Sequence, residues 1–370
     1  MQNSAAAAVA VAGGVVSAAI SPYVKQSYKL LVKTKLSHDS FLLRYGLPTD
    51  TETTEGGRRK FLGIDPLLPT CIKIDYYNPN QDENEIEGTN KKSTTTFLSK
   101  SYSPISHPSQ QDYFDLIVKS YDTTYSNGGG VGNYLCEMTV GDSITAELKK
   151  ERIVHHSSKI LNRGWKNIGL IAGGTGIAPL LQLARLLLFD HEDQNQNQNQ
   201  DNQDENHNQE LLPLPKIYLL FINCTKRDIL GKNEIELLQK KYPNNFFVTY
   251  SFTQEGQEDY EDDTENSSAT YVKGRGDVTM ALSALPPPPL SKSSSKTDSD
   301  TDSDTDSADE ESSDTMIFIC GRDGFVSHWA GPVSRGPPPP GKKKKGPKIQ
   351  GPLLGILNDA GYQENNVFKY

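Results

Sequence analysis

The apolar positions of this 370-residue chain fall into two textures. From Ser27 to Leu148 they come as short β-rich runs separated by turn residues: Tyr28 to Leu36, Phe41 to Leu47, Cys71 to Tyr77, Phe97 to Ile105, Phe114 to Tyr121 and Ser143 to Leu148. Six strands at this spacing predict an antiparallel barrel. One short helix, Gly129 to Met138, is expected after the glycine run Gly128-Gly129-Gly130. From Trp165 onward strands alternate with helices: Ile168 to Ala172 and a leucine-rich helix, strand Lys216 to Asn223, helix Lys232 to Lys241, strand Phe246 to Phe252, helix Asp277 to Leu285, strand Met316 to Cys320 and helix Leu353 to Ala360. Such alternation predicts a parallel sheet wound with helices, so the expected fold class is two-domain, β followed by α/β. The break is expected among Lys149 to Gly164, a largely polar stretch.

The most informative segment opens the second texture. Ile168-Gly169-Leu170-Ile171-Ala172 is short and continuously apolar, as a strand buried on both faces must be. Gly173-Gly174-Thr175-Gly176-Ile177-Ala178-Pro179 then makes a turn into a helix whose first turn tolerates the proline. Glycines let a ligand approach the backbone, and a helix start offers free N–H groups and a positive dipole end, a ready place for a dinucleotide pyrophosphate. Glycine turns also join strands to helices where no nucleotide binds, so the segment needs support from elsewhere.

Composition changes the picture in one respect. Asp190 to Glu210 is Asn/Gln-rich, Gln254 to Ser268 is acidic, and Ser291 to Thr315 repeats Thr-Asp-Ser-Asp; lacking apolar residues, all three are expected to be disordered inserts in connections. They carry a net charge of −21 in a chain of net −9, so the remainder is +12 and basic. A basic body suits anionic cofactors or an acidic partner, and a solvated mixed surface reads equally well. Cys71, Cys136, Cys224 and Cys320 are far apart and form no C-x-x-C pair, which argues against a zinc site or disulfide framework and for a reducing compartment. Ala5 to Ile20 is apolar but shorter than the roughly 20 residues of a membrane helix, so residues 1–26 read as a flexible N-terminus or a weak anchor.

Several ordered motifs carry a resemblance to a known family. Lys100-Ser101-Tyr102-Ser103-Pro104 resembles an R-x-Y-[ST]-P flavin motif, with Lys100 keeping the charge of the arginine but not its planar fork. In Asp115-Leu116-Ile117-Val118-Lys119-Ser120-Tyr121, alternation places Lys119 and Tyr121 on one face. Gly128-Gly129-Gly130-Val131-Gly132-Asn133-Tyr134-Leu135 resembles G-G-x-x-S-x-Y-L, with Gly132 in place of the serine. Asn223-Cys224-Thr225-Lys226-Arg227-Asp228-Ile229-Leu230 resembles N-x-T-x-x-D-I-L and also reads as a helix cap. Ile319-Cys320-Gly321 and the ending from Gly355-Ile356-Leu357 to Gly361-Tyr362 complete the series. Together these are similar to the NADH-cytochrome b5 reductase family of ferredoxin reductase-type flavoproteins.

That resemblance implies a six-stranded FAD-binding barrel over residues 27–150 and a Rossmann-like NAD(P)-binding domain over 165–370. It implies that Lys100, Tyr102, Ser103, Lys119 and Tyr121 line the FAD site, that the backbone of Gly129, Gly130, Val131 and Gly132 holds the FAD pyrophosphate, and that Tyr370 brings an aromatic ring to the flavin. Gly174, Thr175, Gly176, Asn223, Thr225, Asp228 and Gly321 would contact the pyridine nucleotide. Thr175 and Cys320 would shape the hydride-transfer pocket. Thr253 stands where NADH-preferring relatives carry Asp, and with Lys226 or Arg227 nearby NADPH stays open beside NADH. In the unusual block Asp323 to Pro332, preceded by Arg322, the family's usual prolines are missing, and Lys342 to Lys345 offers a basic loop for an acidic haem protein or an anionic membrane.

The implied chemistry is hydride transfer to FAD and single-electron delivery to a haem protein such as cytochrome b5, by a monomer with peripheral membrane contact and a mitochondrial or other membrane-associated intracellular location. No H-E-x-x-H, G-x-S-x-G or P-loop competes, no nucleic-acid partner is expected, and adjacent His155-His156 without nearby Cys or carboxylate is a poor metal site. Two other readings stay open: a related mitochondrial flavin reductase serving cytochrome c haem attachment, and a non-catalytic nucleotide-binding member.

Overall fold

The computed structural model describes residues 24–48, 61–63, 65, 68–77, 97–121, 130–149, 164–188, 214–254, 268–289, 314–338, 346 and 348–370. The apolar stretch 5–20, Gly129, the linker 150–163 with its two histidines, nearly all of the three inserts and the Lys342 to Lys345 run lie outside these residues.

The first half forms six strands, β1 (Gln26–Lys35), β2 (Ser40–Gly46), β3 (Ile72–Tyr77), β4 (Phe97–Tyr102), β5 (Tyr113–Lys119) and β6 (Ser143–Leu148), with helix α1 (Gly130–Glu137) before the last. They make one antiparallel sheet in the order β4-β3-β6-β1-β2-β5. The sheet curls until its edges approach. The Ile105 N–H just beyond β4 donates to the carbonyl of Asp115 on β5 at 2.9 Å, and the Asp115 N–H donates to Ser106 Oγ. The inward side chains, including Tyr28, Leu30, Leu43, Tyr45, Phe114 and Leu116, pack as one core that α1 covers with Val131 and Leu135. β4 stops at Tyr102, short of the expected Ile105, because Pro104 has no N–H for the ladder. Across β2 and β5 Arg44 donates a two-pronged pair of hydrogen bonds to Asp115, with its guanidinium 3.7 Å from the centre of the Tyr113 ring.

The second half is a parallel sheet. Its strands are β7 (Asn167–Gly173), β8 (Lys216–Asn223), β9 (Phe246–Phe252), β10 (Thr270–Lys273), β11 (Thr315–Cys320) and β14 (Val367–Lys369), in the order β10-β9-β8-β7-β11-β14. A two-stranded pair, β12 (Ser334–Arg335) and β13 (Lys348–Ile349), stands apart. Helices α2 (177–188) and α3 (Lys232–Lys241) pack on one face, and α4 (Val278–Ala284), α5 (Asp323–Ala330) and α6 (Gly355–Asp359) on the other. β7 is central and buried on both faces, as its apolar run requires. Asp277, expected as helix, is instead the cap of α4, its carboxylate accepting from the Met280 N–H at 2.8 Å. α6 is shorter than the run Leu353 to Ala360 suggested, and the block after Gly321 is a helix that its composition did not announce. Ile105 and Ile117 of the barrel join the core on the α2 face, so the two halves share apolar contact.

Candidate active site

The strand order of the parallel sheet reverses between β7 and β11, and ligands of such sheets bind at the carboxyl ends flanking that reversal. β7 ends at Gly173 and passes through a tight turn, Gly174–Gly176, into α2; Gly174 has φ of 53°. A Cβ on Gly176 would fall inside contact distance of the Cys320 carbonyl oxygen, so only glycine lets this turn meet the end of β11 so closely. Thr175 is thereby set beside Cys320, Gly321 and Arg322.

The barrel completes the site from the opposite side. Lys100 and Tyr102 of β4, Ser103, Lys119 of β5 and Tyr121 face the turn across a cleft of about 340 Å³, with Thr70, Gln182 and Tyr370 along its walls. That volume is at the lower end of small-molecule sites. Ten residues expected at the cofactors therefore converge in one cavity: Lys100, Tyr102, Ser103, Lys119, Tyr121, Thr175, Gly176, Cys320, Gly321 and Tyr370. Tyr370 is held there by its N–H bond to Ile319, and the preceding Lys369, almost wholly buried, donates to the carbonyls of Pro352, Gly351 and Pro332.

The site's electrostatics suit a phosphate-bearing ring compound. Three cations, Lys100, Lys119 and Arg322, line the cleft, and no Asp or Glu side chain among the described residues does. Tyr102 Oη and Gln182 Nε2 are buried without a hydrogen-bond partner among the described residues. Burial pushes the Tyr102 phenol pKa up, keeping it a donor. Gln182 spends its Oε1 on the Thr70 N–H at 2.7 Å, which fixes which way the amide faces. A buried unpaired donor costs about 1–3 kcal/mol. Cations for phosphates, a tyrosine for an aromatic ring and unpaired donors for carbonyls together fit FAD.

Two features of the barrel side were not visible as motifs. Gly132 on α1 lies so close to β5 that an added Cβ would stand 2.7 Å from the Lys119 carbonyl oxygen. Glycine at this position is thus a packing requirement, and more than a lost hydroxyl. Next to it Asn133 accepts from Ser120 Oγ at 2.6 Å and from the Tyr121 N–H at 2.9 Å, fixing Tyr121 where the cleft needs it. Val131 turns its side chain into the barrel core, leaving only backbone for a ligand, and Gly130 begins the helix with φ of 63°.

The remaining expected residues gather at the carboxyl ends of β8 and β9, apart from the lining of the cleft. Asn223 ends β8 with its Nδ2 buried and unpartnered among the described residues. Thr225 and Asp228 form a capping box in which the Asp228 carboxylate accepts from the Thr225 N–H and Oγ1, so the cap reading of this motif holds. The Thr253 N–H donates to the Asn223 carbonyl, joining the two strand ends.

Lys119 is not a free cation: Asp39 holds it at 2.6 Å. Burial works against the charge on Asp39, but hydrogen bonds from Lys119, Ser40 and Ser37 outweigh it and hold the carboxyl below its ordinary 3.8. A carboxyl depressed on folding stabilises the fold above its unfolded pKa, and that contribution disappears as pH falls through the folded one. Urea unfolding followed from about pH 5 down to about pH 2.5 should show wild type losing more stability than Asp39→Asn. Equal slopes would mean that the Lys119 contact contributes nothing.

Comparison with known proteins bears on the same two halves. Residues 89–149 match the family model described as an oxidoreductase FAD-binding domain, and residues 170–274 match that of an oxidoreductase NAD-binding domain. Fold, cleft and both matches define the class: an oxidoreductase with FAD and NAD as its cofactors. NADH-cytochrome b5 reductase 2 of Neurospora crassa is 26% identical over 271 residues, which span 73% of this chain and only 57% of that protein. NADH-cytochrome b5 reductase 2 of Saccharomyces cerevisiae is 28% identical over 341 residues, 90% of this chain and 79% of that one. The cytochrome b5 reductase domain of Ulva prolifera nitrate reductase has the same fold, with a TM-score of 0.54 at 19% identity, over 95% of this chain and 98% of that domain. At these identities the chain is similar to the NADH-cytochrome b5 reductases in both its FAD-binding and its NAD-binding half.

Proposed function

We propose that this protein takes electrons from NADH into FAD and passes them singly to a haem protein of the cytochrome b5 kind. The observation that carries the reading is the single cleft in which the β7 turn, the end of β11 and the flavin-type side chains of the barrel meet. Bound in the cleft, FAD would supply the hydride-accepting and single-electron chemistry, leaving the residues of the chain to bind and orient rather than to act as an acid–base pair.

The chain's residues bind and orient. Lys100 offers charge to phosphate, Tyr102 and Tyr121 offer ring faces and a phenol donor, and Thr175 and Cys320 stand where the two halves abut. The Gly176 contact sets how closely the nucleotide turn packs on the end of β11, and so where Thr175 and Cys320 stand in the cleft in which two rings would stack. Tyr370 closes one wall. The acceptor is proposed from the names of the relatives and from the basic character of the chain outside its acidic inserts. We also propose the domain limits 27–150 and 165–370 as the FAD-binding and NAD-binding units.

NADPH is a second reading, favoured by the neutral Thr253 at the end of β9 beside a turn that carries Lys226 and Arg227. Anaerobic stopped-flow reduction of the purified, FAD-loaded chain by each nucleotide decides between them, with NADH expected to be faster. Cytochrome b5 reduction should slow as salt rises if the basic surface docks it. A preparation that stays colourless and cannot be reconstituted with FAD would sink the proposal in favour of a non-catalytic nucleotide binder.

A further inference from the structure

Arg322 belongs to none of the motifs that led to the site, yet its side chain reaches across the cleft. It follows β11 and precedes α5 with an extended backbone, and its side chain makes no capping bond to that helix. Its guanidinium carbon lies 5.1 Å from the centre of the Tyr121 ring, and Lys100 Nζ lies 5.0 Å from the same centre. One cation comes from the parallel sheet, the other from the barrel. Neither has a carboxylate partner among the described residues, whereas the third cation of the cleft, Lys119, is paired with Asp39. Two unpaired like charges on one ring repel, and cation–π attraction at an exposed site is weak. An anion between them would turn that repulsion into attraction.

We propose that Arg322 and Lys100 form a clamp, one jaw on each half of the molecule, for the pyrophosphate of a dinucleotide bound in the cleft. Arg322 supplies the planar fork that donates two parallel N–H bonds to phosphate oxygens, and Lys100 supplies a point charge. The pyrophosphate belongs either to FAD or to the nicotinamide dinucleotide. The FAD arm of the inference rests on the function proposed above; the nucleotide arm does not.

The test compares full-length wild type, Arg322→Met and Arg322→Lys. Apoprotein is titrated with FAD and with riboflavin, which has the ring but no phosphate, and the FAD-loaded protein is titrated with NAD⁺. Losing a charge-assisted fork should weaken FAD binding by roughly ten- to a hundredfold in Arg322→Met, less in Arg322→Lys, and flatten its salt dependence, with riboflavin unchanged. The same loss confined to NAD⁺ supports the clamp and assigns it to the nicotinamide dinucleotide. Equal weakening of FAD and riboflavin overturns it, because Arg322 then merely packs on Tyr121; so does no change in any ligand. If wild type binds no FAD, the flavin function falls, and NAD⁺ titration of the apoprotein decides the clamp alone. Thermal melts separate misfolding from lost binding, and if Arg322→Met fails to fold, Arg322→Lys is judged on the same ligand pattern.

Discussion

Gly176→Ala should slow reduction of the bound flavin by NADH by about a hundredfold while lowering stability by about 1–3 kcal/mol. The atoms an added Cβ would strike are the carbonyl group of Cys320 and the amide nitrogen of Gly321, all backbone, so no side chain can swing aside. Either the turn or the end of β11 must move, and both carry residues of the cleft. Displacing a positioned group by about 1 Å can cost a hundredfold in rate, whereas overpacking relieved by backbone movement costs a few kcal/mol at most. Stopped-flow reduction measures the first effect and thermal melting the second. A variant that reduces its flavin at the wild-type rate would show that the contact between the turn and the end of β11 does not set the geometry of the cleft.

Gly132→Ser should weaken FAD binding, although serine is the residue that the resembling motif carries. A helix interior gains roughly 0.5 kcal/mol when glycine gives way to serine, and the new hydroxyl adds a donor near the helix start. Against this, its Cβ would stand 2.7 Å from the Lys119 carbonyl oxygen, and the neighbouring Asn133 would be drawn off its bonds to Ser120 and Tyr121. The overpacking cost of about 1–3 kcal/mol is the larger. The expected outcome is a lower melting temperature together with a several-fold higher Kd for FAD, read by fluorescence titration. Tighter FAD binding would instead mean that the helix start has room to retreat.

Much of this molecule was legible in its residue order. β7 announced itself as an unbroken apolar run before glycines, and β8, β9, α3 and β6 began and ended where their patterns did. These signals are local: side-chain periodicity and turn chemistry act over a few residues and need no partner to be recognised. Short elements were harder. β10 and β14 have four and three residues, too few for a period, and their place at the two edges of the sheet comes from pairing with β9 and β11. α5 was hidden by its mixed composition, and it is Trp329 and Val326, buried against the sheet, that hold it in place.

The site divides in the same way. Chemistry-bearing residues at the turn, at Lys100-Ser101-Tyr102-Ser103 and at Cys320-Gly321 could be named because each sits in a contiguous pattern. Asn133, Gln182 and Arg322 could not, because what makes them matter is a contact made far along the chain: Asn133 to Ser120 and Tyr121, Gln182 to Thr70, Arg322 to Tyr121. Lys119 shows the converse, a cation that alternation aims at the cleft and that Asp39 already holds.

By itself, then, the sequence determined the two textures, the order of the motifs and the chemistry they carry, since these depend on neighbours along the backbone. Only the tertiary structure decided how tightly those motifs meet, why position 132 must be glycine, and which of three cations are left to grip an anion. Curling of the barrel and reversal of strand order at β7 and β11 bring residues distant in the chain within a few ångströms, and packing and electrostatics are set at that range.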